Sequence, residues 1–317
     1  MRSALRTAVI AAALLAPSQT VFAQAFPSKL VRFVIPFAVG GSSDANARII
    51  GPSLSERWKQ QVIVDARPGA ATVIGTEHVA KSPPDGHTLL LTSTQYTYSP
   101  AMYAKLPFDP LTDLVPITLV TISPQAIVVH PSLPVKNVKE LIALAKARPA
   151  DLNIGNAGSV LPTHLFLMLA KIKIEPVPYK GAGPLMTDLM GGHVPLAIAA
   201  ISSVQAAVRS GRARILGVCS LTPSTTFPDA PVIAKVVPGF EAIAWFGLFA
   251  PRGTPKDVIT RIHDDVAAVL QLPNVRKRLL DIGGEPGGQS PEEFATRVRT
   301  EIAMWKKVAV AAGIKPQ

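Results

Sequence analysis

The run Ile35-Pro36-Phe37-Ala38-Val39-Gly40-Gly41-Ser42-Ser43-Asp44 closes an apolar segment and opens an amphipathic one. The chemistry it offers is anion binding. Gly40 and Gly41 carry no Cβ, so the backbone can turn tightly and bare its N–H groups. A helix starting beside them adds unpaired N–H donors and the positive end of its dipole. A carboxylate can be held there without Lys or Arg. Asp44 has two readings, a helix cap or a hydrogen-bond acceptor for a ligand or bound water.

Three further strand-to-helix loops have similar chemistry. Thr92-Ser93-Thr94-Gln95 offers hydroxyls and an amide. Asn156-Ala157-Gly158-Ser159 precedes a segment containing Thr163 and His164. Tyr179-Lys180-Gly181-Ala182-Gly183 opens another helical segment. One such loop is an ordinary turn. Four together can close on one small polar anion from two sides. Tyr96, Tyr98, Tyr179, Trp245 and Phe246 are aromatic candidates for the same cleft, with core or hinge packing as the competing role.

Other chemistries find little support. There is no Walker A sequence, GxSxG elbow, HExxH or CxxC. The histidines His78, His87, His130, His164, His193 and His263 share no ligand spacing, so neither a metal nor a cofactor is expected. Cys219 sits in a strand-like run and reads as a buried thiol. An enzyme would have to use Ser43 or Ser159 with His164, but neither serine lies on a recognised nucleophile turn and no carboxylate orients the histidine. The expectation is a binding protein and not an enzyme.

These loops need a scaffold, and the apolar patterning supplies one. Strand-like runs at residues 30–36, 61–65, 88–91, 127–130, 152–155, 175–178, 194–200, 213–220 and 243–250 alternate with helical periodicity. The helical segments are 45–59, 74–81, 138–147, 163–171, 184–190, 204–210, 256–272, 275–282 and 291–312. The alternation predicts an α/β protein with much parallel sheet. Seams rich in Pro, Ser and Thr fall at 121–125 and 221–231. They divide the chain into a discontinuous domain, 24–123 with 229–317, and an inserted domain, 124–228. The cleft between two such domains, outside the carboxyl ends of their strands, is where ligands bind.

Residues 1–23 read as an export signal. Arg2 and Arg6 precede an apolar run at 8–16, and Val21-Phe22-Ala23 fits a peptidase site, with cleavage after Ala25 as the alternative. Nine apolar residues are too few to span a bilayer core, which takes about 20 in helix. The expected location is the periplasm. The chain carries 32 Lys and Arg against 21 Asp and Glu, and the signal accounts for two of the eleven net positive charges. The basic residues are scattered singly and no strand interleaves aromatics, which argues against nucleic-acid binding. A positive field favours anionic ligands instead.

Seven segments in order carry a family resemblance: IPFAVGGSSDANAR (35–48), VDARPGAATVIGTEHVAKSPPDGHTLL (64–90), KLPFDPLTDLVPITLV (105–120), VVHPSLPVKNVKELIALAKARP (128–149), VPYKGAGPLMTDLMGGHV (177–194), WFGLFAPRGTP (245–255) and SPEEF (290–294). Through them the chain resembles the Bug (TctC-type) periplasmic solute receptors of tripartite tricarboxylate transport systems, over nearly the whole length after residue 25. The resemblance implies a two-domain, type II periplasmic-binding-protein fold with a hinge and an interdomain cleft. It implies a small organic carboxylate ligand and transient docking on membrane permease subunits; cleft closure needs no partner subunit, so a monomer is expected. An alternative implication is a sensory or orphan receptor that presents its ligand-bound form to a signalling partner. Residues 37–44 would grip the carboxyl end. The loops around Asn156–His164, Tyr179 to Pro184 and Ile201-Ser202-Ser203 would cover the other. The family commonly has two prolines where this chain has Ala38-Val39, and Asp or Asn with an aromatic where it has residues 199–203. These departures imply an altered contact set or a ligand with an apolar part.

Overall fold

The computed structural model describes residues 26–148, 151–157, 160–179 and 181–316. The expected export signal and its cleavage site, along with Gly158, Ser159 and Lys180, lie outside the described residues.

The first half of the sheet is built from β1 (Val31–Ile35), β2 (Val62–Ala66) and β3 (Thr88–Ser93). β1 pairs in parallel with both β2 and β3. Parallel neighbours need crossovers, which α1 (Ser42–Trp58) and α2 (Val73–Ala80) supply. After β3 comes α3 (Gln95–Met102), a segment without helical periodicity in the sequence. Then β4 runs unbroken from Leu114 to Val129.

β4 runs through the expected seam at 121–125. The chain does not leave the sheet there but changes partners. β4 is antiparallel to β9 (Ile243–Pro251) as far as Pro124, and pairs with β7 (Leu196–Ala200) from Gln125 onward. Pro124 lacks an N–H, and it sits at the handover, where a ladder donor is least needed. The second half contains α4 (Val138–Ala147), β5 (Asn153–Ala157), α5 (Leu161–Ala170), β6 (Glu175–Tyr179), α6 (Ala182–Gly191), α7 (Ile201–Arg209) and β8 (Arg214–Val218). β5 is parallel to β6 and β7. The strand order is β2-β1-β3-β9-β4-β7-β5-β6, and β8 and the two-residue β10 (Glu285–Pro286) also pair with β4. The result is two α/β lobes sharing β4 as a common strand.

The chain closes with α8 (Lys256–Leu270), α9 (Pro273–Asp281) and α10 (Pro291–Ala311). α10 starts at a full capping box, with Ser290 and Glu293 satisfying each other's backbone N–H groups. Its early residues Phe294, Val298 and Ile302 pack in the first lobe around Trp245 and Phe249. Its later residues Trp305, Val308 and Ala309 join the core of the second lobe, with Phe166, Phe240 and Tyr98. α10 therefore bridges both lobes. No helix among the described residues is long and apolar enough to cross a membrane.

Candidate functional site

Three of the four sequence-selected loops meet at the carboxyl ends of β1, β3 and β5. The first is the glycine loop. Gly40 has φ +86°, a conformation side chains other than glycine rarely adopt, and this turns the chain from β1 into α1. Gly41 is the N-cap at φ −81° and ψ 177°, with no side chain to occupy the first-turn donors. The early N–H groups of α1 therefore have no acceptor within their own helix.

The structure gives Asp44 a role that neither reading named. Its Oδ2 accepts the Gly40 N–H at 3.0 Å, and its Oδ1 accepts from Arg48 Nε at 2.8 Å. The side chain is buried and lies inside the loop. Asp44 is a clamp that holds the glycine turn closed. The Arg48 hydrogen bond, helped by the Gly40 N–H, outweighs burial and keeps its carboxyl below the ordinary range. The Gly40 N–H is thereby spent within the protein, which corrects its expected role as a ligand donor. Val39 points outward, 65% exposed. Asn46 Nδ2 donates to Ser42 O, and its Oδ1 accepts from Thr121 Oγ1, tying the start of α1 to β4.

The second segment is Ser93, Thr94 and Gln95. The Thr94 N–H donates to Trp245 O at 3.2 Å. Thr97 Oγ1 donates to Thr94 O and to Glu301 Oε2, and Trp245 Nε1 donates to the same Glu301 carboxylate at 3.0 Å. A buried carboxylate thus joins α3, β9 and α10 beneath this wall. Burial raises its pKa, against the lowering effect of Trp245, Arg297 and Thr97. Trp245 and Tyr96 are fully packed core residues, not cleft aromatics.

The second lobe brings Asn156 and Ala157 from the end of β5, and Pro162 and Thr163 from the start of α5. Together with Phe37, Gly41, Ser42, Ser43, Ser93, Thr94 and Gln95 they enclose a cleft of about 280 Å³. Gln125, Ala244, Phe246, Tyr98 and Ile198 complete its lining. No Asp, Glu, Lys, Arg or His is among the described lining residues. The Tyr98 phenol is held neutral by burial, which raises its pKa. Both amide atoms of Asn156, Thr163 Oγ1 and Gln125 Oε1 are buried without a hydrogen-bond partner. Convergent unmet polar groups beside apolar lining are the ordinary make-up of a small-molecule site.

Other expected site residues lie elsewhere. His164 lines a separate, larger groove of about 630 Å³ formed by α5, β6 and the end of α10, whose polar members Lys173 and Glu175 are exposed. Burial lowers its pKa, against the raising influence of Glu175. Residues 163 and 164 are about 100° apart around the helix, so one meets the cleft and the next misses it. Tyr179 donates to Asp188 Oδ2 at 2.8 Å and packs on the second-lobe core. Gly181 caps α6 and Ala182 begins it, both outside the cleft lining. Ser202 borders a small depression with Gly283 and Glu285. Among residues the motif reading left out, Gln125 sits in the seam that the sequence marked. Ile198 and Ala244 carry no local signal, since only strand pairing brings them to the floor. Among the described residues, no group of three or more His, Cys, Asp or Glu is arranged to hold a metal ion.

The sequence model described as "Tripartite tricarboxylate transporter family receptor" (TctC) matches residues 46–314. BugT of Bordetella pertussis is 34% identical over 302 residues, covering 93% of each chain. An R. palustris protein solved with adipate superposes with a TM-score of 0.74 at 36% identity, over 92% of this chain and all of that one. MatC from Rhodopseudomonas palustris with bound malate gives 0.71 at 30% identity, over 90% of this chain and all of that one.

Proposed function

The chain belongs to the tripartite tricarboxylate transporter receptor family, and from that premise we propose that it captures a small organic carboxylate in the cleft between its lobes. The lobes close by a hinge at β4 and β9, and the closed form delivers the ligand to membrane permease subunits. The proposed lobes are residues 24–123 with 229–317, and 124–228. The protein acts in the periplasm as a monomer.

One observation carries the reading. The cleft pairs the open N-terminus of α1, at Gly41, Ser42 and Ser43, with the unmet polar groups of Asn156 and Thr163. Helix-terminal N–H groups suit a carboxylate, and a neutral lining permits release once the lobes reopen. Adipate and malate in two relatives support the ligand class. Phe37, Tyr98, Ile198 and Phe246 suit an apolar ligand segment. Thr94 and Gln95 flank the carboxyl end. Capture, not catalysis, is favoured by the separation of Ser43, in the cleft, from His164, in the other groove.

Closure requires that the ligand bind the closed state better than the open one. The test is calorimetry of the protein recovered from the periplasm against a panel of mono-, di- and tricarboxylates. The expected result is a Kd near micromolar, about −8 kcal/mol, for at least one member, with compaction by small-angle scattering. Failure of every carboxylate to bind would refute the proposal.

A further inference from the structure

Resting on the carboxylate reading, we infer that the ligand also carries a group that both donates and accepts a hydrogen bond, a primary carboxamide or a hydroxyl, and that Asn156 selects it. The two sides of the cleft make different demands. At the first lobe, the helix terminus offers backbone N–H groups, which are donors only. An acceptor-only carboxylate satisfies them.

At the second lobe the demand is mixed. Asn156 is 3% exposed, and its Oδ1 and Nδ2 both lack partners. Exchanging the two atoms by rotating the amide changes nothing, because both are unmet. Thr163, fully buried and lining the same cleft, adds a hydroxyl that also lacks a partner. An amide oxygen needs a donor, and a second ionised carboxylate has none to give. A carboxamide or hydroxyl answers both amide atoms. No Lys, Arg or His among the described lining residues stands by to neutralise a second carboxylate. Sites built to hydrogen-bond a particular group reject analogues that leave their buried polar atoms unmet.

Neighbouring elements hold Asn156 in place. β5 is paired on both sides, to β6 and β7, and Asn156 stands opposite Pro178 and Ile198. Neither neighbour has a polar side chain to offer. The sheet fixes the position of Asn156, and the residue lines the cleft with both amide atoms unmet.

The experiment compares ligands of equal length on the protein recovered from the periplasm. Succinate, adipate and terephthalate are each titrated against the corresponding monoamide and ω-hydroxy acid. In the frame that binds, the monoamide or hydroxy acid is expected to bind at least tenfold tighter than the diacid. Asn156→Leu should bring that ratio to within threefold, chiefly by weakening the amide and hydroxy ligands. Thr163→Val, nearly isosteric, should reduce it in the same direction and guards against a folding defect at position 156. A diacid that binds as tightly as its monoamide and hydroxy acid overturns the inference and leaves the carboxylate receptor standing. So does a preference that survives both substitutions. If none of these compounds binds, the inference falls, and the carboxylate reading falls with it only when the wider panel of carboxylates also fails to bind.

Discussion

Replacing Gly41 by Val separates the fold from the site. Gly41 lies at φ −81° and ψ 177°, extended backbone that valine adopts without strain. A Cβ built there meets only Ala38 O, at 3.5 Å, an ordinary contact. Valine is a poorer N-cap than glycine, but it also reduces the freedom of the unfolded chain. These effects oppose each other, so stability should change by less than about 1 kcal/mol, a Tm shift of about 2–4 °C at most. Binding should respond very differently. The new side chain must share the cleft that Gly41 lines with Ser42 and Ser43, covering the donors meant for the carboxylate. Losing two hydrogen bonds to a charged group, at about 1.5–3 kcal/mol each, weakens affinity by roughly 10²–10⁴. Calorimetry with the best carboxylate and a thermal melt of the same sample measure both effects. Affinity within threefold of the parent, with Tm unchanged, would refute the idea that the carboxylate sits at the α1 terminus.

Gly40→Ala should behave in the opposite way. Its φ of +86° costs a non-glycine residue about 1 kcal/mol, while the space around it is open, so Tm falls and binding changes little. Glu301→Leu strands the Trp245 N–H and removes one of the two carboxylates beside Arg297, while Thr97 keeps Thr94 O and Arg297 keeps Glu241, and should cost about 1–3 kcal/mol, seen as a Tm lower by about 2–12 °C; a change under 2 °C would show that the cluster does not join α10 to the hinge strands. Asp44 has a lowered folded-state pKa, so its contribution is present above its unfolded value and is lost as pH falls through the folded one. Tm should therefore drop on acidification below about pH 4, and Asp44→Asn should flatten that acid limb. His164→Ala should leave carboxylate affinity within about twofold, since the residue faces the other groove; a tenfold loss would return it to the site.

What the sequence revealed follows from where each signal is local. The β/α alternation and the tight glycine turn are written in neighbouring residues and both are present, although Asp44 takes the Gly40 N–H. α3 was hidden because Gln95–Met102 is rich in hydroxyl and aromatic residues and contains Pro100. It is held by tertiary packing, with Tyr96 against Phe249 and Tyr98 edge-on to Trp305. The Pro-, Ser- and Thr-rich composition at 121–125 cannot tell a break from the change of strand partner that β4 makes there. Thr163 and His164 are adjacent in sequence, yet only helix phase tells which one reaches the cleft. Asp44 looked equally suited to a cap or a ligand. Geometry gave it a third role, closing the loop through Gly40 and Arg48. Ile198 and Ala244 became cleft residues only through strand register.

The most direct test of the central claim is a high-resolution crystal structure of protein purified from the periplasm without refolding, soaked with the tightest carboxylate found. The prediction is density in the cleft bounded by Phe37, Thr94, Asn156 and Phe246, with carboxylate oxygens within about 3 Å of the backbone nitrogens of Ser42 and Ser43. A ligand bound instead in the groove beside His164, or a carboxylate turned away from the start of α1, would contradict it.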